Sequence, residues 1–104
     1  MRSINMHEYE NELVKSDKPV LLDFYADWCG PCQMVGPVME ELSKTYEKDI
    51  IVAKVDVDVQ RELAGMFDVM SIPTVALVKD GKVVEKTVGA KPISHYKSII
   101  DKVI

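Results

Sequence analysis

Residues 23–32 read Asp-Phe-Tyr-Ala-Asp-Trp-Cys-Gly-Pro-Cys, and this stretch leads from a strand into a helix. The run 20–25 is apolar on both faces apart from one carboxylate, Asp23, which is typical of a central strand in a covered sheet. From the second cysteine to about residue 48, apolar residues recur with the period of a helix that buries one face: Val35, Met39, Leu42 and Tyr46. The two cysteines therefore lie at the carboxyl end of a central strand, where α/β sheets place their working groups.

Three further segments have the composition of strands. Residues 50–57 are β-branched and mostly apolar, which predicts a second interior strand. The long helical connection between the two interior strands makes them parallel, as in a βαβ unit. Runs 74–79 and 82–88 are separated only by Asp80-Gly81, a strong short-range indication of an antiparallel hairpin. The sheet is therefore expected to be mixed.

Three more helices complete the predicted architecture. Asn5 and Glu8 have the spacing of a capping box, which predicts a helix from about Met6 to Lys15. Asp58 can cap a short helix that ends near Phe67. Pro92 suits the first turn of a closing helix. The fold class is thus α/β, a mixed sheet with helices on both faces.

Composition and charge exclude several classes of protein. With 104 residues, 47% of them apolar and 29% charged, the chain is expected to form one globular domain over residues 1–104. A net charge of −4 without a Lys and Arg cluster argues against a nucleic-acid partner. No stretch approaches the ~18 apolar residues of a membrane span, and the first ten residues lack the apolar segment of a signal peptide. We therefore expect a cytoplasmic monomer that does not bind membranes.

The chain has two cysteines, Cys29 and Cys32, and three roles compete for them. As a structural staple, so short a loop would contribute only about 2 kcal/mol. A zinc site needs four ligands, and the remaining candidates, His7 and His95, are isolated from each other. A redox role fits better, because two thiols at a helix start can reach disulfide distance. Cys29 is expected to be the nucleophile, because the helix terminus favours its thiolate, and Cys32 the shielded resolving thiol.

Residues 23–32, together with Ser71-Ile72-Pro73-Thr74 and Val88-Gly89-Ala90, resemble the thioredoxin family over essentially the whole chain. The resemblance implies a thioredoxin fold, with about five strands flanked by four helices. It also implies a cis bond between Ile72 and Pro73, packed against the cysteines. The implied activity is protein-disulfide reduction by an electron carrier without a cofactor or metal, which a thioredoxin reductase resets.

Asp23 lies in apolar surroundings, so we predict that it is buried and that its pKa is raised. The resemblance makes Asp23 the proton acceptor for Cys32, and it makes Lys54 a neighbour that tunes Asp23. The alternative for Asp23 is a carboxylate that faces water at a strand end. The alternative for Lys54 is a solvated lysine on a strand.

Protein clients are expected to dock on an apolar rim and to pair with the backbone around Ile72 as an added strand. The rim comprises Trp28, Gly30, Pro31, Ile72, Pro73, Gly89 and Ala90. Gly30 and Pro31 carry no side chain that would stabilise the Cys29 thiolate, which favours a reductant over an oxidant. Gln33 and Met70 depart from the common family pattern and make the rim less basic and more apolar, and Tyr25 replaces a frequent tryptophan. A disulfide isomerase or oxidase and a non-catalytic interaction subunit are the alternative functions.

Overall fold

Five strands form one mixed sheet in the computed structural model, which describes residues 1–104. The strands are β1 (Arg2–Ser3), β2 (Val20–Tyr25), β3 (Ile51–Asp56), β4 (Thr74–Lys79) and β5 (Lys82–Val88). They lie in the order β1-β3-β2-β4-β5. β3 is parallel to both β1 and β2, whereas β4 is antiparallel to both β2 and β5. The predicted mixed sheet and βαβ unit are confirmed.

Helices pack on both faces of the sheet. They are α1 (Met6–Glu8), which continues as a π-helical segment (Tyr9–Leu13), α2 (Gly30–Thr45), α3 (Arg61–Met66) and α4 (Ile93–Asp101). None of them has both the length and the apolar character needed to cross a bilayer.

β2 is the centre of the sheet, and all of its residues except Tyr25 are buried. Its side chains alternate between two cores, because successive residues of a strand point to opposite faces. Leu22 and Phe24 pack in a core that also contains Leu63 of α3. Leu21 packs in the other core, which contains Met39 of α2. Asp23, two residues after Leu21, therefore points to the α2 face.

The predicted helix cap and the predicted hairpin turn are both present in the structure. The capping box is confirmed, since the Asn5 side chain accepts from the Glu8 N–H at 2.8 Å and Glu8 accepts from the Asn5 N–H at 3.1 Å. The hairpin is also confirmed, and Asp80 and Gly81 have positive φ values of 52° and 77°, as a tight hairpin turn requires. The first helix ends at Leu13 rather than at Lys15, and its last five residues, Tyr9–Leu13, are π-helical.

Two sequence-based expectations were wrong in detail, and one short strand was missed. Asp58 does not cap α3, which begins at Arg61 after Gln60; the Asp58 carboxylate instead accepts a hydrogen bond from the Trp28 indole. Pro92 is the residue before α4 rather than part of its first turn. Strand β1 was not predicted, because two exposed residues carry no periodic pattern.

Candidate active site

Cys29 and Cys32 form a disulfide at the start of α2, with their Cα atoms 5.3 Å apart. Helix α2 begins at Gly30 rather than at Cys32, because Gly30 and Pro31 already occupy its first turn. Cys29 is consequently the N-cap residue, and its Sγ accepts a hydrogen bond from the Cys32 N–H at 3.3 Å. Both cysteines are buried, packed with Ala26. The Cys29 sulfur is therefore held by a backbone N–H in the first turn of α2.

The loop before β4 lies against the cysteines. The peptide bond between Ile72 and Pro73 is cis, as the resemblance implied. Ile72 packs on the small cluster that contains Cys29 and Cys32. The Pro73 carbonyl accepts a hydrogen bond from the Gly89 N–H at 2.8 Å, and Gly89 has φ of 89°, a conformation that favours glycine. Of the predicted rim residues in this loop, Ile72 thus contacts the cysteine cluster, and Pro73 next to it is bonded to Gly89.

Asp23 is 2% exposed, which confirms its predicted burial. Burial raises the pKa of Asp23 from 3.8 to about 6, while the positive charge of Lys54 acts in the opposite direction. Its Oδ1 atom has no hydrogen-bond partner in the protein. Buried polar atoms in proteins generally have a partner, so this oxygen is available to a water molecule or to a proton donor.

Asp23 and Cys32 both line a cavity of about 280 Å³ between β2, β3 and α2, which we call the carboxylate cavity. Its walls are formed by Met1, Asp23, Tyr25, Cys32, Gly36, Glu40 and Lys54. A water molecule takes up about 30 Å³, so the cavity has room for several. The predicted acceptor, the predicted resolving thiol and Lys54 therefore share one polar space, whereas Gly36 and Glu40 are members that sequence reasoning missed.

The outer surface beside the disulfide is apolar and exposed. Trp28 is 71% exposed, and its Nε1 donates to the Asp58 carboxylate at 2.8 Å. A cavity of about 400 Å³, which we call the indole groove, is lined by Trp28, Val57, Val69, Met70, Ser71 and Ile72. Val57 and Val69 were missed because each looks like an ordinary core residue in the sequence. The position of Val57 just after β3 was the one available indication, since β2 and β3 end at the same edge of the sheet.

The remaining predicted rim residues divide between exposed and covered positions. Gly30, Pro31 and Ala90 are exposed, Gly89 is half-buried and Pro73 is buried. Ala90 contributes to a separate cavity of about 370 Å³, beside Met34 and Pro92. No group of three or more His, Cys, Asp and Glu side chains is arranged to hold a metal ion.

Comparisons with known proteins agree with this geometry. The family model described as Thioredoxin matches residues 1–102. The chain is similar to a thioredoxin of Chlorobaculum thiosulfatiphilum, at 47% identity over 94 residues, which cover 90% of this chain and 87% of the relative. It is similar to a thioredoxin of Mycobacterium tuberculosis strain H37Rv, at 52% identity over 83 residues, 80% of this chain and 72% of the relative. It also matches a bifunctional thioredoxin reductase/thioredoxin of Mycobacterium leprae at 50% identity over 80 residues, 77% of this chain and 18% of that protein.

Proposed function

The chain belongs to the thioredoxin family, and on that premise we propose that it reduces disulfide bonds of protein clients by cycling Cys29 and Cys32 between a dithiol and a disulfide. The observation that carries the proposal is the position of this disulfide, between an exposed apolar groove on one side and the carboxylate cavity on the other. The redox group is the cysteine pair itself.

Cys29 is the proposed nucleophile. As the N-cap of α2, its sulfur accepts the Cys32 N–H, and the same N–H would stabilise a thiolate in the reduced protein. The thiolate attacks one sulfur of the client disulfide. A mixed disulfide forms between Cys29 and the client, and the second client sulfur leaves with the electron pair of the broken bond.

Cys32 is the proposed resolving thiol, and Asp23 the acceptor of its proton. Both line the carboxylate cavity, and Asp23 Oδ1 is free to receive a proton through a water molecule. The Cys32 thiolate then attacks the Cys29 sulfur, and the client leaves as a dithiol. Two electrons have passed to the client, and Cys29 and Cys32 are joined. Lys54, on the same cavity, is proposed to hold Asp23 in its ionised form.

Clients are proposed to bind on the indole groove and along the backbone of Ile72. Trp28 and Ile72 line the groove, and Gly30, Pro31 and Ala90 extend the exposed surface around the disulfide. The cis peptide before Pro73 and the Gly89 contact hold the Ile72 segment beside the sulfur atoms. An extended client segment can pair there with main-chain hydrogen bonds.

The working state is proposed to be a monomer in the cytoplasm, with residues 1–104 as one domain. Both cysteines and the whole rim lie on one chain, and a single sheet takes its strands from residue 2 to residue 88. The cytosol keeps thiols reduced, which favours the dithiol form that such a reductant needs. A thioredoxin reductase is the proposed electron donor, supported by the Mycobacterium leprae relative, whose name joins both activities in one chain.

The test is a redox titration of Cys29 and Cys32 against glutathione, combined with two matched substitutions. We expect a midpoint potential below that of the glutathione couple. We expect Cys29→Ser to abolish reduction of a disulfide peptide, and Cys32→Ser to accumulate a mixed disulfide with that peptide, detected by mass spectrometry. A midpoint well above the glutathione couple would instead assign the chain as an oxidase or isomerase. Undiminished reduction by Cys29→Ser would overturn the catalytic role.

A further inference from the structure

One residue on the α2 wall of the carboxylate cavity has no side chain. Cys32, Gly36 and Glu40 follow one another at steps of four residues, so they lie on one face of the helix. At a rise of 1.5 Å per residue, the eight steps from Cys32 to Glu40 span about 12 Å. Glu40 is exposed and its carboxylate pairs with the N-terminal ammonium of Met1 at 3.2 Å, so this face leads from the buried sulfur past an ion pair to solvent. This ion pair and the Lys54 ammonium are the other charged groups on the cavity wall.

Gly36 lies midway along that face. Apart from its two chain neighbours and the backbone of its own helix, no atom would lie within 4 Å of a Cβ atom placed on Gly36. The glycine is therefore not required for close packing of the helix against the sheet. Its φ does not require glycine either, because the glycines with positive φ are Gly81 and Gly89. A glycine inside a helix is less favourable than alanine, but Gly36 precedes Pro37 within α2, and a Cβ on the residue before a proline is disfavoured in the α conformation. Gly36 therefore has a local backbone role as well as the open space that it leaves on the cavity wall.

We propose that Gly36 is a positioning residue for water. Its missing side chain leaves room for a continuous chain of water molecules from Asp23 to the solvent beside Glu40. This inference rests on the proposed role of Asp23 as the acceptor of the Cys32 proton. Asp23 Oδ1 has no partner among protein atoms, and the cavity is the space that it faces. Water in this space stabilises the ionised carboxylate and carries the proton onward after Cys32 has released it.

The experiment compares Gly36→Ala and Gly36→Leu with Gly65→Ala and Gly65→Leu. Gly65, an exposed glycine of α3 with no atom of another segment within 4 Å of an added Cβ, controls for adding a side chain to a helical glycine. Gly65 does not precede a proline, so any effect of crowding Pro37 is identified by the Asp23→Asn background described below, in which that effect would persist. The first-order rate at saturating disulfide peptide is followed through Trp28 fluorescence from about pH 5 to about pH 9, a range that brackets the titration of a raised carboxyl.

We expect Gly36→Leu to slow this rate at least about tenfold near neutral pH, and Gly36→Ala less, within the range that one proton-transfer group contributes. The rising limb of the pH profile is expected to move to higher pH, because a drier carboxyl is harder to ionise. Both Gly65 variants are expected to retain the parent rate and profile. Thermal unfolding identifies any loss of fold.

Asp23→Asn separates this inference from the function on which it rests. In the Asp23→Asn background, Gly36→Leu is expected to add no further slowing, because two residues on one route are not additive. If Gly36→Leu slows the rate equally in the parent and in the Asp23→Asn background, the inference about Gly36 is overturned. It is also overturned if Gly36→Leu reacts at the parent rate while Asp23→Asn is slow. Neither result affects the proposed role of Asp23. A parent rate for Asp23→Asn itself would overturn the proposed role of Asp23.

Discussion

Asp23 and Lys54 are paired in register on the neighbouring parallel strands β2 and β3, yet no ion pair joins them. The Lys54 ammonium lies over the Tyr25 ring instead, 5.3 Å from the ring centroid. From there its charge lowers the pKa of Asp23, but burial has the larger effect, and the pKa rises to about 6. A carboxyl with a pKa near neutrality accepts and releases a proton more readily at working pH than an ordinary aspartate.

Replacing Lys54 with methionine is expected to raise the pKa of Asp23 further. The charge of a partly exposed lysine is worth up to about 1 kcal/mol, which moves the rising limb of the pH profile upward by up to about 0.7 pH unit. Reduction of a disulfide peptide at neutral pH slows, and it recovers at higher pH. Lys54→Arg is the control, since it retains the charge and the contact with an aromatic face. An unchanged pH profile for Lys54→Met would contradict the tuning role.

Asp23→Ala is expected to stabilise the disulfide form at neutral pH while it slows client reduction. The folded state binds the Asp23 proton more tightly than the unfolded chain does, because the pKa rises from 3.8 to about 6. The unfolded chain therefore loses its proton first as pH rises, and the parent protein loses stability between those two values. At 1.36 kcal/mol per pH unit, the ionised carboxylate costs about 3 kcal/mol at pH 7, an upper limit for the gain.

Denaturant unfolding at two pH values tests the expected direction of this change in the free energy of unfolding. The stabilisation by Asp23→Ala, relative to the parent, is expected to be large near pH 7 and to disappear by about pH 3, below both pKa values, where Asp23 is mostly protonated in the folded and the unfolded state. Asp23→Asn is the matched control, because it keeps the volume of the side chain and cannot ionise. The same free-energy difference at both pH values would show that burial of the charge is not the cause.

Residues of this site that act through neighbours in the sequence could be predicted, whereas residues that act through partners distant in the sequence could not. Asp23 was identified because a single carboxylate in an otherwise apolar strand must be buried with its neighbours. The cysteines were identified because their spacing defines a local geometry. Asp58 was misassigned because its partner, Trp28, is 30 residues away and no local pattern reports it. Gly36 was missed for the same reason, since its importance lies in the space that it leaves opposite β2.

Lys86 is expected to stabilise the end of α3. Its Nζ donates to the carbonyl oxygens of Phe67 and Asp68 at 2.8 and 3.0 Å, where the chain turns through a positive φ of 53° at Asp68. Lys86→Met removes these bonds to carbonyls at a helix end and is expected to cost about 1–2 kcal/mol in the free energy of unfolding. Lys82→Met, on the same strand and exposed, is expected to change it by less than about 0.5 kcal/mol. Equal effects of the two substitutions would refute the capping role.

The hydrogen bond from Trp28 to Asp58 is expected to matter for client docking rather than for the chemical step. Trp28 is 71% exposed and lines the indole groove, so its ring has little packing to fix its orientation apart from the 2.8 Å bond to the Asp58 carboxylate. Asp58→Ala frees the ring, and ordering it again on binding costs about 0.5–1.5 kcal/mol, which raises KM for a disulfide peptide about two- to tenfold. The limiting rate at saturation stays near that of the parent.

Asp58→Asn separates the hydrogen bond from the charge. The asparagine side-chain oxygen still accepts from the indole Nε1, while the negative charge beside the groove is lost. If orientation of the ring is the cause, Asp58→Asn retains the parent KM and Asp58→Ala does not. If both variants shift KM by the same factor, and the shift fades with added salt, the carboxylate acts on clients through its charge instead. In that case Trp28 is held by the packing of the groove and not by Asp58.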